Sequence, residues 1–79
     1  MTTADLKKIV ATALDVDPRE VADDASTETL EAWDSLGHIA IVVALDEALD
    51  GRVAGIDGIR KAYSLPALAG LLRGQKLLD

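Results

Sequence analysis

Apolar residues recur at helical spacing in three stretches of the chain. The first stretch predicts an amphipathic helix over residues 3–14, which Thr2 or Thr3 can cap and whose positive end suits Asp5. Its apolar positions follow the i, i+3, i+4, i+7, i+8 spacing of a single stripe and are Leu6, Ile9, Val10, Ala13 and Leu14.

Two further helices are predicted in the second half of the chain. Residues 35–49 form a long apolar stretch that stops before Gly51, a residue suited to the carboxyl end of a helix. Residues 65–73 form the last helix, which Ser64 can cap. A short helical turn is predicted over residues 56–62. These elements indicate a small all-α protein.

The segment 15–34 connects the first two helices and concentrates the negative charge. It contains eight acidic residues and one basic residue, a local charge of −7, whereas the whole chain carries −6. A connection of this length inside a compact domain is usually functional, or else its assignment as a loop is wrong. Asp17 and Pro18 predict a local helical turn. Because the segment has no glycine, it lacks the central residue of an EF-hand calcium loop, and no metal site is predicted. Three apolar residues are expected to anchor it to the core, namely Val16, Val21 and Leu30.

Composition favours a single helical domain over residues 1–79. Hydrophobic residues make up 49% of the chain, and most are Ala and Leu, which are strong helix formers. The lack of cysteine excludes disulfides and Cys-based zinc sites. The acidic excess argues against binding to nucleic acid or to an anionic membrane surface. No apolar run approaches the ~20 residues of a membrane span and the amino terminus has no signal-peptide pattern, so a cytoplasmic location is expected.

The candidate chemistry lies in Trp33, Asp34, Ser35 and Leu36, where the acidic segment meets the long apolar helix. In one interpretation, Ser35 is only the helix cap and Asp34 adds a charge that favours the helix dipole. In the other, the free N–H groups at the helix start stabilise a phosphodiester attached to the Ser35 hydroxyl. Position alone favours the cap.

The order of these features along the chain resembles that of the acyl carrier protein family. It covers the amphipathic first helix, the acidic loop with Val-Asp-Pro-Arg-Glu-Val, the Asp-Ser-Leu serine, the long helix ending in Asp-Glu-Ala-Leu and the closing helix after Ser64. The resemblance implies a four-helix bundle with three main helices, a short one before the last and a long loop between the first two.

The resemblance also implies a function. Ser35 would carry a 4′-phosphopantetheine arm, added from coenzyme A by a phosphopantetheinyl transferase, and the thiol of the arm would hold an acyl group as a thioester. Asp34 and Leu36 would be recognised by the transferase. The second long helix would dock an acyl-loading ligase or acyltransferase and then the downstream synthase enzymes. The protein would be a monomer and would catalyse nothing itself.

Two features depart from the commonest pattern of the family. Gly37, His38 and Ala40 stand where carriers of fatty-acid synthesis usually have acidic residues, so a specialised pathway such as polyketide synthesis is expected. Asp rather than His precedes the serine, which favours acyl over aminoacyl cargo. A stand-alone aminoacyl or peptidyl carrier is the alternative within the family. An unmodified helical interaction module is the alternative outside it.

Three neighbours of Ser35 carry further expectations. Residues 39–45 are apolar around the whole helix circumference, which indicates either full burial or an exposed apolar patch for a partner. Ile39 lies on the same side as Ser35 and is the leading candidate for an exposed partner contact. The alternative is that Ile39, Val42, Val43 and Leu45 belong to the core, which is expected for at least two of them. His38 is expected at the surface near the arm or a partner, because a Ser–His dyad also needs an oxyanion hole and an oriented base, and nothing else in the chain supplies them. Trp33 is expected to be half-buried beside the serine and to help in partner recognition.

Overall fold

Helix α1 begins at a capping box. The computed structural model covers residues 1–79 and places α1 at Thr3–Leu14, as the apolar stripe predicts. Thr2 Oγ1 accepts a hydrogen bond from the Asp5 backbone N–H at 3.1 Å, and the Asp5 carboxylate accepts one from the Thr2 N–H at 2.9 Å. This second bond, from the Thr2 backbone, lowers the pKa of Asp5. Both residues thereby satisfy N–H groups that a helix start leaves free.

Two more α-helices complete the structure, and the all-helical class is confirmed. Helix α2 spans Ser35–Ala48 and helix α3 spans Leu65–Gly74, each within a residue of its predicted bounds. The chain forms no strand, and its β-type pairing is a single isolated bridge between Ser26 and Ser64. None of the three helices combines the length and apolar character needed to cross a membrane.

The fourth helix, predicted over residues 56–62, is reduced to a 3₁₀ turn at Ile59–Lys61. Gly58 precedes this turn with φ +87, a left-handed conformation that no right-handed helix can include. The turn therefore starts only after Gly58. Ala62 ends it at ψ 74, again outside helical geometry. The chain thus has three α-helices, and the predicted fourth helix is only a 3₁₀ turn.

The core is a single cluster of apolar side chains contributed by every helix. Leu6, Val10 and Leu14 of α1 are buried, whereas the stripe members Ile9 and Ala13 are only partly buried at its edge. The carboxyl-terminal tail also contributes, with Leu77 and Leu78 buried after the last helix. The other helices supply their inward faces, namely Ile41 and Leu45 from α2 and Leu65, Leu68, Ala69 and Leu72 from α3.

The acidic segment between α1 and α2 is an ordered loop held on the core. Val21 is buried, while Val16 and Leu30 are partly buried, so all three predicted anchors contact the core. The loop also joins the start of α3, since the Leu65 N–H donates to the Ala25 carbonyl at 2.7 Å. The predicted turn is the 3₁₀ helix Pro18–Glu20, capped by Asp17.

Candidate functional site

Asp34, and not Ser35, caps helix α2. Its carboxylate accepts a hydrogen bond from the Gly37 backbone N–H at 2.7 Å, and its carbonyl accepts the His38 N–H at 2.8 Å. Ser35 is the first helical residue, and its side chain is exposed. The interpretation of Ser35 as the cap is therefore wrong. Asp34 has the extended backbone of a cap residue and a side chain of the right length, which leaves the serine hydroxyl without a capping role.

Gly37 allows the loop before Ser35 to pack directly on α2. A Cβ atom at this position would lie 2.4 Å from the Ala32 carbonyl oxygen and 2.7 Å from Cδ2 of Leu14. No real Cβ contact is that short, and the first of these neighbours is backbone that cannot swing away. In the sequence, Gly37 stands out only because carriers of fatty-acid synthesis usually have an acidic residue there. In the structure, glycine is sterically required at this position.

Trp33 and His38 form a buried pair immediately behind Ser35. The side chain of Trp33 is 1% exposed and that of His38 is 4% exposed. The Trp33 Nε1–H donates to His38 Nδ1 at 3.1 Å, and because indole can only donate, Nδ1 must be the acceptor. The proton of His38 then lies on Nε2, which donates to the Ile59 carbonyl at 3.0 Å. This arrangement links the loop, α2 and the 3₁₀ turn.

The expectations for Trp33 and His38 are wrong on burial. Trp33 is fully buried rather than half-buried, and His38 lies inside the molecule rather than on its surface. Burial of His38 is tolerated because both of its ring nitrogens have hydrogen-bond partners. With both nitrogens engaged, His38 has no free acceptor for the Ser35 proton, and the two residues do not form a dyad.

The outer face of α2 is apolar and exposed. Leu36 is 78% exposed, Ile39 is 59% exposed and Val43 is 52% exposed, whereas Ile41 and Leu45 are completely buried on the opposite side. The prediction that Ile39 is exposed is confirmed. Exposed apolar side chains clustered on one helix face are typical of interaction surfaces.

A groove of about 490 Å³ runs along this face, and we call it the α2 groove. Ser35 is one of its lining residues. Its lining consists of Ser35, His38, Ile39, Val42 and Val43 on α2, with Ala54, Arg60 and Tyr63 opposite. A second, more polar depression of about 420 Å³ shares Ser35 and Tyr63 and adds Thr27, Glu31, Trp33 and Asp34. We call this second depression the acidic hollow, because Glu31 and Asp34 line it. Any group attached to Ser35 would thus begin between the α2 groove and the acidic hollow.

Three groove residues lie outside the predicted site. Ala54, Arg60 and Tyr63 belong to the connection between α2 and α3, and no spacing along the sequence relates them to Ser35. The hydrogen bonds from Ala54 and Val53 to the Asp46 carboxylate, at 2.9 and 3.0 Å, help to hold this connection beside α2, together with the bond between His38 and the Ile59 carbonyl. These two backbone N–H groups, that of Ala54 first, lower the pKa of Asp46.

No three His, Cys, Asp or Glu side chains converge at a spacing suited to a metal ion. No protein family, no curated protein and no solved structure matches the chain. The assignment of a function therefore rests on Ser35 and its surroundings.

Proposed function

We propose that the chain is a carrier protein of the acyl-carrier type, modified on Ser35 with a 4′-phosphopantetheine arm that holds an acyl thioester. The observation that carries the proposal is the position of Ser35. It is exposed at the first position of a 14-residue helix, directly after a separate cap residue, and it lines the α2 groove. The three-helix bundle is then the carrier fold, in which the 3₁₀ turn at Ile59–Lys61 takes the place of the short helix.

The helix start suits a phosphodiester on electrostatic grounds. The first N–H groups of a helix lack partners within it, and its dipole favours negative charge at that end. The Asp34 carboxylate accepts a hydrogen bond from only one of these groups, the Gly37 N–H. A phosphate on Ser35 Oγ would lie beside the remaining N–H groups of the first turn.

The proposed modification transfers the phosphopantetheine group from coenzyme A to Ser35. The Ser35 hydroxyl oxygen attacks the phosphorus of coenzyme A that bears the pantetheine, and a new P–O bond forms as the pyrophosphate bond breaks. Adenosine 3′,5′-bisphosphate leaves, and a base on the transferase accepts the serine proton. The protein supplies only an accessible nucleophile in a fixed orientation, which Asp34 and the close packing at Gly37 provide.

The exposed strip Leu36–Ile39–Val43 is the proposed docking face for the transferase, the loading ligase or acyltransferase and the downstream synthase enzymes. Its centre lacks charge, and the acidic loop lies at its amino-terminal end. This distribution favours partners of a specialised pathway, and the proposal takes the carrier to be a monomer in the cytoplasm. An aminoacyl or peptidyl carrier would use the same site.

An unmodified interaction module is a second candidate function. The same exposed strip supports it, because Leu36, Ile39 and Val43 could bind a partner without any arm on Ser35. The two functions differ only in whether Ser35 accepts the arm.

Intact-mass spectrometry after incubation with coenzyme A, Mg²⁺ and a promiscuous phosphopantetheinyl transferase separates them. The expected result is one added arm on the parent protein, no addition to Ser35→Ala, and full addition to the control Ser26→Ala. An unchanged mass of the parent protein would overturn the carrier function and leave the interaction module.

A further inference from the structure

Ser35 and Tyr63 are the two residues that line both depressions beside the start of α2. The α2 groove and the acidic hollow have no other lining residue in common. The boundary between the two depressions is therefore formed by these two side chains. A group attached to the Ser35 hydroxyl starts at this boundary, with Tyr63 beside it.

Three contacts fix the position of Tyr63. Its carbonyl accepts a hydrogen bond from the Thr27 N–H at 3.0 Å, and its N–H donates to the Lys61 carbonyl at 3.0 Å. Its ring meets the ring of His38 edge-on, with centroids 4.9 Å apart. His38 follows Ser35 by three residues, so the two lie on one side of α2. Tyr63 is thus held against the same turn of α2 that carries Ser35.

The hydroxyl of Tyr63 is free although the ring is fixed. It makes no hydrogen bond within the chain, and the residue is 47% exposed. A phenol hydroxyl can donate one hydrogen bond, and a bond to an ionised oxygen is stronger than one to a neutral acceptor. The side chain therefore offers a donor, in a fixed place, to an anion on Ser35.

The two sides of this boundary differ in charge. The acidic hollow carries the carboxylates of Glu31 and Asp34, which repel a further anion. The α2 groove has no carboxylate in its lining, and it includes a cation, Arg60. A negative group on Ser35 is therefore favoured on the side of the α2 groove.

We propose that the Tyr63 hydroxyl donates a hydrogen bond to the phosphodiester of the arm and holds this group on the α2-groove side of the boundary. The inference rests on the proposed carrier function, since the phosphodiester exists only once Ser35 is modified. It concerns only the phosphate, whose phosphorus is one bond from Ser35 Oγ, so it does not depend on the length or the cargo of the arm. Tyr63 is then a binding residue for the arm, together with the free N–H groups of the first turn of α2.

The phosphorus resonance of the modified protein tests this contact, because the arm contains its only phosphorus. A phosphopantetheinyl transferase and coenzyme A load the parent protein, Tyr63→Phe and Thr27→Val, and ³¹P NMR is recorded for each protein folded and in urea. Tyr63→Phe removes the hydroxyl and keeps the ring that contacts His38. Thr27→Val is the matched control, because it removes the hydroxyl of a residue that lines the acidic hollow but not the α2 groove.

The expected result is a ³¹P resonance in the folded parent protein that is displaced from its position in urea. In Tyr63→Phe this displacement should fall by roughly half, because the N–H groups of the helix start remain as partners of the phosphate. Thr27→Val should keep the displacement of the parent protein. An unchanged displacement in Tyr63→Phe, or an equal loss in both variants, would overturn the inference and leave the carrier function intact. A loss in Thr27→Val alone would also overturn it and assign the phosphodiester to the acidic hollow.

Tyr63 itself gives a second readout, because the chain contains a single tyrosine. In protein labelled with ¹³Cζ-tyrosine, attachment of the arm should move the one labelled resonance. Ser35→Ala treated in the same way should leave that resonance in place. A Tyr63 resonance that does not respond to the arm would contradict the inference. Failure of the parent protein to accept the arm would overturn the carrier function, and the inference with it.

Discussion

The indole N–H of Trp33 donates to Nδ1 of His38 across 3.1 Å, with both rings buried directly behind Ser35. Their planes are nearly parallel, at 11°, and Tyr63 meets the histidine ring edge-on with centroids 4.9 Å apart. Through Nε2 the same histidine holds the Ile59 carbonyl. One side chain of α2 thus connects the loop that ends at the serine with the wall across the groove. Its role is to position the site.

Replacement of Trp33 by Phe tests this pair. Phe keeps an aromatic ring but lacks the N–H donor and the second ring of indole, so buried Nδ1 of His38 loses its partner and some packing is lost, and we expect a loss of at least about 1–3 kcal/mol in the free energy of unfolding. Urea unfolding followed by circular dichroism measures it, because the variant has no tryptophan fluorescence. Tyr63→Phe is the control, since the Tyr63 hydroxyl makes no intramolecular hydrogen bond. Equal midpoints for Trp33→Phe and the parent protein would refute the role of the bond.

Replacement of Gly37 by Ala tests the close packing of the loop on α2. The added Cβ would meet the Ala32 carbonyl at 2.4 Å, so we expect a loss of about 1–3 kcal/mol in unfolding free energy and slower modification of Ser35. Gly70→Ala is the matched helix substitution. Its Cβ meets nothing within 4 Å, and it should stabilise the protein by about 0.5–1 kcal/mol. Similar effects of both substitutions would show that the loop is free to move away.

The two sides of α2 should respond differently to truncation. Ile41 is completely buried, and Ile41→Ala should cost about 2–5 kcal/mol in unfolding free energy. Ile39 is 59% exposed, so Ile39→Ala should change stability by less than about 0.5 kcal/mol while it slows modification of Ser35 by the transferase. Denaturant unfolding and the rate of mass addition are the two measurements. A large stability loss in Ile39→Ala would place that side chain in the core.

Asp46 should make stability depend on pH. The amides of Ala54 and Val53 hold the pKa of Asp46 in the folded protein below its ordinary value of 3.8. Its carboxylate therefore contributes stability at pH values above the ordinary pKa, and this contribution is lost as pH falls through the lower folded pKa. Asp46→Asn should be less stable than the parent protein at pH 7, with a smaller difference near pH 2 to 3.

Glu47→Gln is the control for Asp46→Asn, because it removes the same charge from the next residue without touching the two amide hydrogen bonds. Unfolding free energies from pH 2 to 7 give the comparison. If the unfolding free energies of Asp46→Asn and the parent protein differed by the same amount at every pH, the assignment of this pH dependence to Asp46 would be contradicted.

Millimolar Mg²⁺ should raise the melting temperature, and more so at low ionic strength. The acidic loop carries −7, and ion pairs engage only two of its eight carboxylates, Asp23 with Lys7 and Asp17 with Arg19. The remaining charges repel one another within about a Debye length, ~10 Å at 0.1 M salt. Thermal unfolding in MgCl₂ against NaCl of equal ionic strength measures the effect. An unchanged or lower melting temperature would show that the loop charges are already well separated.

Local patterns predicted the helices well because each helix is defined by neighbours in the sequence. The apolar stripe of α1, the Asp17–Pro18 turn and the Ser64 cap all depend on residues within about one or two turns of each other. The prediction of a fourth helix was wrong for an equally local reason. Gly58 adopts a left-handed conformation, which glycine in the sequence permits but does not require.

The surroundings of Ser35 were predicted less well. Asp34 and Ser35 are both good cap residues, and their identity alone does not say which one adopts the extended backbone. His38 looks like a surface residue by polarity, and only its two partners, Trp33 five residues before and Ile59 twenty-one residues after, explain its burial.

The sequence by itself determined three helices, the acidic loop, the apolar character of α2 and the serine at its start, because these follow from the spacing of residues along one segment. Only the tertiary structure decided the rest. It buried Trp33 and His38, required glycine at position 37, and brought Arg60 and Tyr63 across from Ser35 to form the α2 groove. The physical reason is that burial, close backbone approach and a groove wall each arise from contacts between distant segments, which no local spacing encodes.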